Sequence, residues 1–498
     1  MTIQWDFVGL LGARGAKLTL GLAMMFAYAR IFGVSATYDA WIWSLGIVNA
    51  TGMLLFGPIT ETIRASYTGI DHRDGRAAAE QYIATIAVVM IGTAMMVAAG
   101  AMAVLPMIAA ALVPQQSGQG PIATFFLYAL APSLALSQVV AVLTAHLNCR
   151  GKVYAPEIAG VVGGCIGLSF IMVFPRLPAT WLLLGSYYIA LFAPLVVGVS
   201  FWPELFRALL RLKWLAFRSY TREAIAFSMP LLLPYALGQA SAVVERQYAL
   251  LAGTGALSIL SYAFFARNTV QAVFTAALSA LAVPALARTW DAADTVPFRT
   301  ELAHWVRQCL MLATLGMIVL FGLSDMIPAL LFGDNITVQH QLLLGKLLQI
   351  YAVAILAVVL YLIGGSALLA ARRGKTYAVL GSIASLTSLL MLIALFPLIG
   401  IVAIPVGLGV SHALAAGLMF RAIDRSDAWR IMCDAALRMF VIVTAGSALR
   451  GVDALFAVVP GLLTRLAADS VAAAILGGLW WLVEHRLGRD AMSPVPVS

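Results

Sequence analysis

Between Glu80 and Arg150 the chain carries no aspartate, glutamate, lysine or arginine, and two apolar runs, 82–113 and 122–147, fill most of that interval. A helix needs about 20 apolar residues to cross the hydrocarbon core of a bilayer, and each of these runs is longer. The chain is therefore expected to lie within a membrane. Its composition agrees: 62% of the 498 residues are hydrophobic and 11% charged, against roughly 25% charged in a soluble domain.

Dividing the sequence at its polar and turn-rich breaks predicts an all-α polytopic membrane protein with about 14 transmembrane helices. The spans run 8–32, 37–63, 82–113, 122–147, 154–175, 179–203, 223–252, 256–286, 303–332, 341–370, 376–396, 398–420, 432–459 and 466–484. Alternate connections hold the basic residues, among them Arg64, Arg73, Arg76, Arg150, Lys152, Arg207, Arg211, Lys213, Arg218 and Arg222. The opposite set holds only Arg176, Arg450 and Arg465. By the excess of Lys and Arg in cytoplasmic loops, both termini and the basic connections are expected in the cytoplasm. That location also accounts for the net charge of +9 without a nucleic-acid partner. The first residues lack the basic n-region and cleavage site of a removed signal peptide, so the first span is expected to stay. Cys149, Cys165, Cys309 and Cys433 are far apart, show no CxxC or Cys/His ligand spacing, and read as packing residues with no metal site.

The most basic internal connection, FRALLRLKWLAFRSYTRE at 206–223, follows the sixth span. It predicts a six-helix lobe at 1–205, a linker at 206–222, a second six-helix lobe at 223–425 and a final helix pair with tail at 426–498. The stretch YARIFGVSATYDA at 28–40 has an echo in YALLAGTGALSILSYA at 248–263, each a helix, a Gly-containing outer turn and a new helix. Two lobes of equal orientation around a central cavity suit a transporter.

Ionisable residues inside the membrane cost at least ~2.5–3.5 kcal/mol at a helix centre, which makes each a functional candidate. Arg14 and Lys17 share one helix face near the cytoplasmic end, where they either snorkel or face a cavity. Glu245 and Arg246 sit some 15 residues beyond Pro230, too deep to snorkel, and are expected to face a wet interior or to pair with each other. Arg267 approaches from the following span. Arg30 and Asp39 flank the outer break at 33–37, where an ion pair fixing the turn is expected. Arginine forks match phosphate oxygens, so a cavity lined by Arg14, Lys17, Arg246 and Arg267 suits an anionic headgroup. Glu245 either binds a coupling proton or sodium ion or neutralises Arg246. No cofactor is called for.

Three stretches carry a resemblance to a known family: ARIFGVSATYDA at 29–40 with Asn49 beyond; Ala131-Pro132 through HLNCRGKVYAPEIAG at 146–160; and MPLLLPYALGQASAVVERQYALLAGTGALSILSYA at 229–263 closing with ALSALAVPALAR at 277–288. The chain resembles the MurJ/MviN family of the multidrug/oligosaccharidyl-lipid/polysaccharide (MOP) exporter superfamily. This resemblance implies an alternating-access flippase that moves an undecaprenyl-diphosphate-linked oligosaccharide from the cytoplasmic to the periplasmic leaflet of a bacterial inner membrane, with Arg30 and Asp39 fixing its outer gate. Its partners would be that glycan, membrane lipids, and a polysaccharide polymerase with export machinery. Where lipid II flippases of the family carry arginines, this chain has Leu18, Met24 and Gly52, and Gly57 stands at a family acidic position. Those departures favour an exopolysaccharide-type repeat unit as substrate, with lipid II as the alternative.

An ion-coupled drug exporter would favour an acidic, aromatic cavity, whereas the candidates here are mostly basic. A membrane polymerase or acyltransferase would need a nucleophile with His/Asp partners, a phosphate loop or a metal cluster, and no such motif is present. The chain therefore reads as a transporter.

Overall fold

The computed structural model describes residues 2–113, 118–152, 154–197, 207, 210, 214–291, 294–333, 335–456 and 478, and among them the secondary structure is helical. The expected span at 466–484, save residue 478, and most of 206–213 within the basic connection lie outside the described residues. The chain divides into two compact units, Met1–Ser258 and Ile259–Ser498. Among the described residues nine helices are long and apolar enough to span a membrane, or ten when one bent pair is taken as a single span.

The first unit holds α1 (Thr2–Ile31), α2 (Ala36–Asp74), α3 (Arg76–Leu112), α4 (Gln119–Leu130), α5 (Ser133–Cys149), α6 (Tyr154–Val173), α7 (Ala179–Val197) and α8 (Trp214–Leu251). Helix α2 is its axis, packed by α3, α4, α5 and α8. At 39 residues it is ~58 Å long, well beyond a ~30 Å hydrocarbon core. The apolar window predicted its end at residue 63, yet the helix continues to Asp74 because Ile63, Tyr67 and Ile70 keep a buried stripe against Tyr82, Ile83, Ile86 and Met90 of α3. Gly75, at φ +84°, turns the chain between the two helices.

The span expected at 122–147 is two helices, α4 and α5, bent by 42°. Pro132 lacks an amide donor, and the Ser133 hydroxyl donates to the Leu130 carbonyl at 2.6 Å. Helix α6 packs on α7 through Gly163 and Gly167, a GxxxG pair: a Cβ at either would come within 2.9 Å of the Ala190 carbonyl oxygen or 3.0 Å of that of Ser186.

Helix α9 (Ala256–Ala277) begins in the last residues of the first unit and continues into the second. A π-turn at Leu278–Ala282 and α10 (Val283–Thr289) follow, so the span expected at 256–286 is interrupted just before Pro284. The second unit continues with α11 (Val296–Gly322), α12 (Met326–Phe332), α13 (Val338–Ala370), α14 (Gly374–Ile399), α15 (Ala403–Ile423) and α16 (Arg425–Phe456). Helix α13 is its centre. It is apolar on every face, with Leu347, Tyr351, Ala357, Val359 and Ala367 all fully buried, as a helix surrounded by other helices must be.

Candidate functional site

The break after α1 is built by local chemistry. Gly33 takes φ +58° and its amide bonds the Tyr28 carbonyl, ending α1. Ser35 then caps α2, its hydroxyl accepting from the Tyr38 amide at 3.3 Å. One turn later Asp39 is fully buried. Its carboxylate accepts from the Gly255 amide, the Ser258 amide and hydroxyl, and the Gln119 side-chain amide. Gly255 and Ser258 are the residue before and the third residue of α9, so Asp39 satisfies amides that a helix start leaves unpaired. Arg30 is exposed in the last turn of α1.

From Asp39 a seam follows α2 along α8, the two helices running antiparallel. Trp43 donates its indole N–H to the Gln247 side chain at 3.0 Å. Gly46 leaves room for Arg246: a Cβ there would overlap the Arg246 Cδ and Nε atoms. The Arg246 guanidinium donates to the Ala242 carbonyl at 2.8 Å, and Glu245 accepts from the Ser241 hydroxyl at 3.3 Å. Further along, Gly57 leaves room for the Tyr235 ring, and Thr62 meets Ser228, hydroxyl to hydroxyl, at 2.7 Å.

Where α2, α5 and α8 diverge they enclose a cavity of about 420 Å³, lined by Asn49, Glu61, Ser133, Ser137, Gln138 and Tyr235 among others, with no lysine or arginine. The Tyr235 hydroxyl donates to Glu61 at 3.5 Å, and Gln138 donates to Ser137 at 3.2 Å. Gly52 and Gly57 lie in its wall. A phenol, amides, hydroxyls and one carboxylate set among Val48, Met53, Phe56 and Leu134 offer donors and acceptors on a largely apolar wall, an arrangement suited to neutral polyhydroxyl groups, which need no fixed counter-charge.

Of the expected site residues, the structure brings Arg246 onto the α2–α8 seam at Gly46, binds Asp39 to the start of α9 and to Gln119 of α4, and joins Glu245 to Ser241 of its own helix. Lys17 projects from α1 to Glu157 of α6, forming a half-exposed ion pair at 3.0 Å. Arg14 lies on α1, and its side chain is outside the described residues. Arg267 belongs to the second unit, where it stacks on Phe264 with its guanidinium 4.8 Å from the ring centre and donates to Asn268. His412 of the second unit meets Tyr361 edge-on, the ring centres 4.9 Å apart. The sequence reading missed Glu61, Gln138 and Tyr235. Glu61 stands one turn beyond Gly57 on the α2 face that starts at Asn49, a spacing that could have found it.

Residues 28–487 match the family model described as lipid II flippase MurJ. The structure is similar to lipid II flippase MurJ in an inward closed conformation, with a TM-score of 0.72 at 14% identity over 95% of this chain and 98% of that one. It is also similar to an inward-facing multidrug resistance MATE family transporter of the MOP superfamily, with a TM-score of 0.61 at 12% identity over 83% and 95% of the two chains. A MOP superfamily transporter from Pyrococcus furiosus gives a TM-score of 0.58 at 10% identity over 86% and 96%. No curated protein matches the sequence. With the family model covering nearly the whole length, this chain belongs to the MurJ family, multi-pass membrane transporters that flip lipid-linked glycan precursors.

Proposed function

We propose that this MurJ family member translocates an undecaprenyl-diphosphate-linked oligosaccharide of the exopolysaccharide type, an assembly repeat unit, to the periplasmic leaflet. The observation that carries this reading is the first-unit cavity. Its wall sets the polar side chains of Asn49, Ser133, Ser137, Gln138 and Tyr235 and a single carboxylate, Glu61, among apolar ones such as Met53, Phe56 and Leu134, and Gly52 contributes no cation to it. Such a wall supports recognition of sugar hydroxyls more than of phosphate. Arg246, held over Gly46, and Arg14, Lys17 and Arg267 are the proposed cations for the diphosphate, and Glu245 the proposed acceptor of a coupling proton or sodium ion. A polysaccharide polymerase acting on the outer face is the expected partner.

The family description supports a second reading, lipid II as the cargo. Depletion in the native host separates the two. Normal growth with loss of a secreted polysaccharide supports the first reading; lysis with accumulation of lipid II overturns it in favour of the second.

A further inference from the structure

Along α2 the polar residues of the first-unit cavity are spread out rather than clustered. Asn49 stands at one end and Glu61 some three turns further, about 18 Å along the helix axis. The Glu61 carboxylate is placed by the residue opposite. Gly57, one turn before it, leaves the gap that the Tyr235 ring of α8 fills, and the Tyr235 hydroxyl reaches Glu61 Oε2 at 3.5 Å. Among the described residues Glu61 Oε1 takes no hydrogen bond and neither does the Asn49 side chain, although both residues are exposed and line the cavity. Helix α5 adds Ser133, Ser137 and Gln138, and Met53, Phe56 and Leu134 lie among the polar groups.

The open oxygen sets Glu61 apart from a carboxylate that serves the fold. Asp39, in the same unit, gives both of its oxygens to protein donors. Glu61 keeps acceptor capacity for a ligand, and it acts on a sugar in two ways. Its oxygens accept from hydroxyls, adjacent hydroxyls on one ring being able to meet both, while the apolar side chains between pack on ring carbons. The same charge repels an acidic substituent. No lysine or arginine lines the cavity to offset a second negative charge, and apolar walls keep the effective dielectric low. Discrimination of this kind comes from penalising the wrong ligand.

We infer that Glu61 is a specificity-determining residue: it makes the first-unit cavity select neutral, hydroxyl-rich lipid-linked glycans over the same glycans carrying uronate groups. The inference rests on the reading of this cavity as the glycan site. Hydroxyl and amide groups from α2, α5 and α8 outnumber the one charge and are spread along the wall, which suits an extended hydroxyl-bearing chain better than a compact cation. Tyr235 is the positioning residue, holding the carboxylate across Gly57. Loss of its hydroxyl weakens binding of the glycan but leaves the charge, and with it the discrimination, in place.

The test is native mass spectrometry of the full-length detergent-solubilised protein with three purified lipids. These are a neutral trihexose linked to undecaprenyl diphosphate, the same molecule with its primary alcohols oxidised to carboxylates, and undecaprenyl diphosphate alone. The wild type is expected to retain the neutral glycan about tenfold better than the acidic one. In Glu61→Gln that ratio should fall to about one, through a gain for the acidic glycan as well as a loss for the neutral one. Tyr235→Phe should bind both more weakly at a nearly unchanged ratio. Should Glu61→Gln fail to elute as a single species, methyl esterification of the acidic glycan removes the charge from the other partner, and the wild type should then retain it like the neutral one. Equal retention of the two glycans by the wild type, or a ratio unmoved by both Glu61→Gln and esterification, would overturn the selectivity while leaving the cavity a glycan site. Retention of neither glycan above undecaprenyl diphosphate alone would overturn the inference together with the reading of the cavity on which it rests.

Discussion

Asp39 and Ser258 are joined twice, the Asp39 carboxylate accepting from the Ser258 backbone amide at 2.7 Å and from its hydroxyl at 2.5 Å. With the Gly255 amide and Gln119 the buried carboxylate has four donors, so its charge is solvated by protein where water is excluded. Asp39→Ala orphans those donors together. At ~1–3 kcal/mol for each unsatisfied buried group, shared among partners that partly relax, the expected loss is about 3 kcal/mol. Asp39→Asn keeps one acceptor oxygen but turns an amide donor toward other donors, and should lose about half as much. Thermal unfolding followed by fluorescence-detected size exclusion checks both, and an unshifted Asp39→Ala melting curve would contradict the assignment.

Gly46 and Arg246 give a prediction that separates position from charge. The Arg246 atoms that a Cβ at Gly46 would strike are Cδ and Nε, well out along a flexible side chain, so Gly46→Ala can be absorbed by a change of rotamer at little cost in stability. The guanidinium would then leave its place beside the Ala242 carbonyl. Gly46→Ala should therefore lower glycan export several-fold with normal membrane levels. Arg246→Ala should abolish export, and Arg246→Lys should restore part of it, since charge survives but the fork does not. Export measured as secreted polymer per unit of inserted protein reads all three; full export from Gly46→Ala would show that the placement of Arg246 is immaterial.

What the sequence made legible follows from which physics is local. The membrane class and most helices rest on runs of apolar residues, which read directly from the chain. The break at 33–37 is likewise local, set by Gly33 and Ser35. By contrast, the partners of Asp39 lie 80 and more than 200 residues away, and no spacing rule connects them. Charges such as Arg246 stand out in an apolar sequence because they are costly in a membrane, whereas Gln138 and Tyr235 cost little there and leave no such mark. Helix ends beyond the bilayer, as at Ile70, depend on packing against α3, which a hydropathy window does not register. Gly46 and Gly57 illustrate the same limit: each reads as a small residue, and only the Arg246 and Tyr235 side chains opposite show why.

Glu61 and Tyr235 should act as a unit in the first-unit cavity. Tyr235→Phe removes the hydroxyl that reaches Glu61, and Glu61→Gln keeps the shape while removing the charge. If both groups position sugar hydroxyls, each single change should raise the lipid-linked glycan concentration needed for half-maximal flipping about three- to tenfold. That corresponds to one hydrogen bond of ~1 kcal/mol. The double variant should fall short of the product of the two effects, because partners in contact couple. A proteoliposome flipping assay with purified lipid-linked glycan measures this, and strictly multiplicative effects would separate the two residues.

Ion pairs at the basic end of the first unit predict a contrast in stability. Glu80 is mostly buried and accepts from the Arg150 guanidinium at 2.8 Å and from the Tyr67 hydroxyl at 3.1 Å, with the fully buried His146 ring 3.8 Å away. Arg73 and Asp74, adjacent on α2, form a pair at 2.9 Å in which 60% and 40% of the two side chains are exposed. Removing one member of a buried pair leaves an uncompensated charge and costs ~3–5 kcal/mol, whereas an exposed pair is worth ~0–1 kcal/mol because water and salt screen it. Glu80→Ala should therefore sharply reduce the yield of folded protein, and Arg150→Ala should do so nearly as much. Asp74→Ala should be silent. Raising the salt concentration should leave the first two defects in place, since the buried pair is shielded from solvent ions. Equal melting temperatures for Glu80→Ala and Asp74→Ala would show that the α3–α5 junction rests on apolar packing alone.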